Sequence, residues 1–151
     1  MNPASDQALL EELRRHRAEL RDSMSALEDA LAAPVTGDRQ RWSLRVHAAL
    51  LELSGDFREH VDLTEGDNGL YRELLATAPR LAEAVTGLTR EHGLVRDQVE
   101  KLLGRVTASD VTDPERVRNL GTLLLGRLVR HRQRGSDLVF EAYEFDIGGE
   151  T

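Results

Sequence analysis

Apolar residues recur every three to four positions through four long stretches of this chain, and the breaks between them fall at turn-forming residues. Leu9, Leu13, Leu20, Leu27 and Leu31 form the first stripe, predicting a helix over about 5–32 that starts near Ser5 or Asp6 as cap and stops before Pro34. Asp38 can cap the second, over about 39–65, whose stripe is Trp42, Val46, Leu50, Leu53, Phe57 and Val61. The run Gly66-Asp67-Asn68-Gly69 breaks it, and a short helical turn can resume over 70–77. Pro79 suits the first turn of a third long helix, about 80–106, striped by Leu81, Val85, Leu88, Val99 and Leu103. Asp113-Pro114-Glu115 is a cap followed by proline at the first helical position, opening a fourth helix to about residue 145 through Leu120, Leu124, Leu128, Leu138 and Ala142. Four helices, each apolar on one face and joined by short loops, predict a single all-α domain over 1–151, an antiparallel up-down-up-down four-helix bundle.

Composition agrees with helices. Aromatic residues are only 4% of the chain, too few for a typical sheet core. The formal net charge of −7 gives no reason to attract a phosphate backbone or an anionic membrane, so neither nucleic acid nor membrane is expected as a partner. The chain has no cysteine, which removes disulfides, iron–sulfur clusters and thiolate zinc sites and leaves only nitrogen and oxygen as metal donors. Met1 to Asp6 lacks the basic-then-apolar pattern of a signal peptide, and no stretch approaches the ~18 apolar residues of a membrane span; a cytoplasmic location is the expectation.

The pattern changes meaning at four of the five histidines. His16, His60, His92 and His131 each fall within the apolar stripe of a different long helix. At ~100° per residue, His16 lies within about 60° of Leu9, Leu13, Leu20 and Leu27, and His92 within about 40° of Val85, Leu88, Val99 and Leu103. His60 groups with Leu53 and Phe57, and His131 with Leu124, Leu128 and Leu138, whereas His47 faces away. Counted from the helix ends at ~1.5 Å per residue, the four heights agree within roughly 10 Å, so one layer of the bundle can hold them all. An imidazole buried without a partner is unfavourable because it loses water and gains nothing, and a shared metal ion removes that penalty for all four.

His16, the segment Phe57-Arg58-Glu59-His60-Val61-Asp62-Leu63-Thr64-Glu65, Glu91-His92 with Leu94, and His131 resemble the hemerythrin-like, or HHE cation-binding, family over nearly the whole chain. That resemblance implies a non-heme di-iron site in a four-helix bundle, with the histidines as ligands and carboxylates bridging two iron ions. The implied ligands here are His16, His60, His92, His131, Glu65 and Asp137. The implied activity is binding or processing of O₂, peroxide or nitric oxide, with disproportionation of peroxide as a possible reaction.

The carboxylate that follows the second family histidine by four residues is Thr64 here, so Glu65 stands about 140° round the helix from His60 and reaches the site if the helix bulges before Gly66. Asp137 is similarly late after His131, and Leu88 fills the place of a second helix-three histidine. Glu12 and Asp56, each one turn before a histidine, together with Tyr71 and the loop residue Asp67, are substitute or supporting ligands. Neutral imidazoles with one or two carboxylates suit iron, copper, zinc or nickel. The alternative reading is a degenerate, metal-poor bundle serving as an interaction or regulatory domain; heme held by two of the histidines is a third.

Overall fold

A computed structural model of the protein describes residues 3–106 and 113–145, with side chains over 7–106 and 113–143. Five α-helices account for most of these residues: α1 (Pro3–Ala32), α2 (Arg39–Glu65), α3 (Leu70–Thr77), α4 (Ala82–Arg105) and α5 (Pro114–Phe140). A 3₁₀ turn, Pro79–Leu81, leads into α4, and a π-helical turn, Glu141–Phe145, extends α5.

The boundaries follow from local chemistry. The Asp38 side chain accepts a hydrogen bond from the Arg41 backbone N–H at 3.0 Å and starts α2. Asp113 does the same for Arg116 at 3.1 Å, with Pro114 behind it where a missing N–H does no harm. α1 already runs through Ser5 and Asp6, so neither caps it, and its early Pro3 fits a first helical turn. α2 ends at Gly66, whose N–H bonds the Asp62 carbonyl at 3.0 Å. A side chain there collides with that same carbonyl oxygen, and a Cβ on Gly69 sits 2.7 Å from the Thr64 oxygen. Two glycines thus let the chain turn back closely enough to lay α3 against α2.

α1 packs against α2 and α5, and α4 packs against the same two helices, so the four long helices close on one another around a common interior. That interior is divided. One apolar cluster gathers Leu20, Leu27, Trp42, Leu50, Leu53, Phe57, Leu102, Leu124 and Leu128. A second gathers Leu13, Leu70, Tyr71, Leu74, Leu81, Leu88 and Leu138. Histidines mark the boundary: Phe57 of the first cluster contacts the rings of His60, His92 and His131, and Tyr71 of the second stacks on His92.

Candidate metal centre

His60 comes from α2, His92 from α4 and His131 from α5, and all three rings turn into the bundle because each sits on its helix's apolar stripe. The Nε2 atom of His131 lies 3.1 Å from Nε2 of His60 and 3.1 Å from Nε2 of His92. His131 is 1% exposed and His92 3%. The edge-on ring contacts between the three imidazoles keep the Nε2 atoms, rather than the ring faces, directed at one point.

The Nδ1 atoms of His92 and His131 are committed elsewhere. His92 Nδ1 lies 2.5 Å from Glu65 Oε2, and His131 Nδ1 lies 2.6 Å from Glu91 Oε1. Ionised carboxylates only accept hydrogen bonds, so each Nδ1 must donate. Arg134 Nη1 donates to Glu91 Oε2 at 2.5 Å, holding that nearly buried carboxylate in place from its outer side. With the proton on Nδ1, a neutral imidazole presents a bare lone pair at Nε2.

Burial and neighbouring basic groups keep the rings neutral. Burial lowers His60 from 6.5 to about 3, with His92, His131, Arg17 and Arg132 adding to the effect. Burial also lowers His92 and His131, opposed in each case by the hydrogen-bonded carboxylate, Glu65 and Glu91 respectively. The Nε2–H tautomer of His60 can donate a hydrogen bond to the His131 Nε2 lone pair at 3.1 Å. No such donor remains for the contact between His92 and His131, where two lone pairs face each other at 3.1 Å.

A cation at the convergence turns that repulsion into ligation. With metal–nitrogen bonds of ~2.0–2.1 Å, nitrogens 3.1 Å apart subtend roughly 100° at the ion, between octahedral (about 90°) and tetrahedral (about 109°) angles. Metal-binding histidines characteristically donate their remaining N–H to a carboxylate, which fixes the tautomer and raises ligand basicity, and Glu65 and Glu91 stand where that role requires. The three residues therefore fit a transition metal through nitrogen alone.

Not all of the expected ligands arrive here. His16 is on the same bundle but in a separate group, its Nδ1 3.3 Å from Glu19 Oε2 and 3.1 Å from Glu59 Oε2, near the surface. Its place at the edge of the α1 stripe lets it turn outward to these acids. Glu65 reaches the centre without a bulge, since α2 stays α-helical to its end, and it meets the outer nitrogen of His92 rather than the convergence itself. Asp137 is exposed and accepts from Gln133 Nε2 at 3.0 Å, pointing away. Asp56 accepts from the buried Ser23 hydroxyl, tying α2 to α1. Glu12 is half-buried on α1 outside both groups, and Asp67 lies in the exposed loop near Arg72.

Tyr71 is buried, with its ring centroid 5.8 Å from that of His92 and the planes within 11°. Burial holds its phenol protonated well above the usual range. It braces a ligand ring more than it competes for an ion. Glu91 is the functional residue that the helical pattern did not single out: it directly precedes His92, and its partner His131 is on another helix. Its burial among apolar neighbours is visible only once α4 and α5 are packed.

A cavity of about 360 Å³ opens beside His60 and His131, walled chiefly by leucines of α1 and by the last turns of α5. A smaller one, about 270 Å³, reaches His92 from the opposite side past Phe57 and Arg96. The chain matches no known family model, no curated protein and no solved structure. Among the described residues, no helix is long and apolar enough to cross a membrane.

Proposed function

We propose that this protein is a metal-binding bundle in which Nε2 of His60, His92 and His131 hold one first-row transition metal ion, open on the side of the larger cavity. The observation that carries it is the approach of the His92 and His131 Nε2 atoms to 3.1 Å, with both Nδ1 atoms already within hydrogen-bond distance of carboxylates. Such an ion supplies a place for a small ligand such as O₂, peroxide or nitric oxide and, if it is iron or copper, one-electron chemistry.

The chain's own residues do the rest. Glu65 and Glu91 orient two of the rings, Arg134 holds Glu91, and Phe57 and Tyr71 pack the rings between two apolar clusters. An antiparallel, hemerythrin-like arrangement of the four long helices is the topology this reading adopts, and iron is the ion that the resemblance suggests. A single ion suits the donors better than two. Bridging needs carboxylates between the ions, whereas Glu65 and Glu91 are engaged on the far sides of their histidines and Asp137 faces solvent. A metal-free interaction domain leaves the facing lone pairs without a purpose.

The test is elemental analysis of the purified protein, followed by titration of chelator-treated protein with Co²⁺ and Fe²⁺ under anaerobic conditions. One equivalent bound, with ligand-field bands for Co²⁺ that are lost in His131→Ala, supports the reading. A protein that takes up no ion, or takes it up equally well after His60→Ala and His131→Ala, does not hold metal at this triad.

A further inference from the structure

The larger cavity has both apolar and cationic walls. Leu10, Leu13 and Leu20 of α1, Leu70 of α3 and Leu138 of α5 share its lining with Arg14, and Arg17 and Arg132 line it together with His60 and His131. Both guanidiniums act as positive neighbours on His60, Arg17 and Arg21 act on Arg132 in the same way, and Arg17 and Arg132 line the same cavity. Among the described residues neither forms an ion pair. Arg17 donates to the Ser136 hydroxyl at 2.5 Å, and the Arg132 Nε is buried with no hydrogen-bond partner. In a chain with 27 acidic residues, two guanidiniums that line one cavity without a carboxylate on either form a place for an anion brought from outside.

We infer that the cavity binds a small amphipathic carboxylate, its head group between Arg17 and Arg132 at the open side of the histidine triad and its apolar tail along Leu10, Leu13 and Leu138. This rests on the metal-centre reading only for what the head group meets beside the arginines. The volume of about 360 Å³ is within the range of small-molecule sites (about 300–1,000 Å³), and the combination of an apolar wall with a few converging polar groups is what such sites have in common. A neutral alcohol of the same length lacks the charge, and acetate lacks the tail.

Gly135 offers a clean control. It lines the cavity, and a Cβ added to it meets no heavy atom within 4 Å, so a larger side chain has room to enter without disturbing the helix. Calorimetric titration of the metal-loaded and chelator-treated full-length protein with octanoate, octanol and acetate tests the inference, with metal content measured in parallel. Octanoate should bind one per chain and at least ten-fold more tightly than octanol or acetate. Arg132→Gln and Gly135→Leu should each weaken octanoate at least ten-fold while metal content stays unchanged.

Equal binding of octanol and octanoate, or octanoate binding untouched by both substitutions, overturns the inference and leaves the metal centre standing. A protein that takes octanoate in this Arg132-dependent way but loads no metal supports the carboxylate site and removes the metal reading instead.

Discussion

Glu91 reaches across from α4 to the Nδ1 of His131 on α5 at 2.6 Å, and so decides which nitrogen of a buried histidine is left bare. Its second oxygen belongs to Arg134, also on α5, so that the carboxylate is clamped between two residues of one helix while its backbone is on another. Glu91→Gln keeps the shape and the acceptor but removes the charge. Metal affinity should fall about 10–100-fold, the usual effect of losing such a support, with one-to-one stoichiometry retained. Competition titration against a chromophoric chelator measures it. Glu65→Gln should weaken binding less, because the Glu65 side chain is 31% exposed and water can replace part of its interaction; an equal or larger loss there contradicts the assignment.

Removing a ligand should separate binding from folding. His131→Ala should abolish stoichiometric metal uptake, and the variant should lose the stabilisation that metal gives the parent protein. At free metal 100 times the dissociation constant that stabilisation is about 2.7 kcal/mol. Thermal melts with and without metal give the number directly, and a metal-induced shift of equal size in the variant counts against His131 as a ligand.

The pH dependence of the metal-free protein has a definite sign. His60 titrates near 6.5 in the unfolded chain but near 3 when folded, so between these values the unfolded state binds the extra proton. Stability contributed by the neutral ring is present above pH 6.5 and declines as pH falls towards 3, with a slope of up to about 1.4 kcal/mol per pH unit from this group. Urea midpoints of chelator-treated protein should therefore fall over that window. His60→Asn should flatten the slope, and an unchanged slope in that variant assigns the effect elsewhere.

Phe57 is the apolar floor under all three rings, 4% exposed and within 5.6 to 6.2 Å of each ring centroid. Phe57→Ala should destabilise the fold by about 3–5 kcal/mol through the lost ring and the void beneath the histidines. Phe57→Leu should restore much of that stability but little of the metal affinity, since a smaller side chain fills volume without fixing ring planes. Chemical denaturation paired with metal titration distinguishes the two effects.

Much of the scaffold is legible in the sequence. The Asp38 and Asp113 caps, the bounds of α2 and the short α3 after the glycine pair follow from rules that act within a few residues. The inward direction of His60, His92 and His131 follows from periodicity, which is a property of one helix at a time. His16 shows where that kind of reasoning stops. Its angle to the α1 stripe allowed an inward ring, and counting residues gave it a compatible height, but nearby Glu19 and the neighbouring helix's Glu59 hold it at the surface. Glu65 and Asp137 diverged for a related reason: which side of a ring a carboxylate meets depends on how two helices are rotated against each other, and spacing along one helix does not contain that angle. Glu91 was hidden by the same ignorance, standing beside a recognised histidine but serving a different one.

The triad draws on α2, α4 and α5 and takes nothing from α1. An ion at the centre rivets three staves of a barrel and leaves the fourth unriveted. α1 also forms one wall of the larger cavity, so the helix that the centre does not fasten borders the space a ligand would fill. Metal loading should accordingly slow amide hydrogen exchange most around His60, His92 and His131 on α2, α4 and α5, and least on α1.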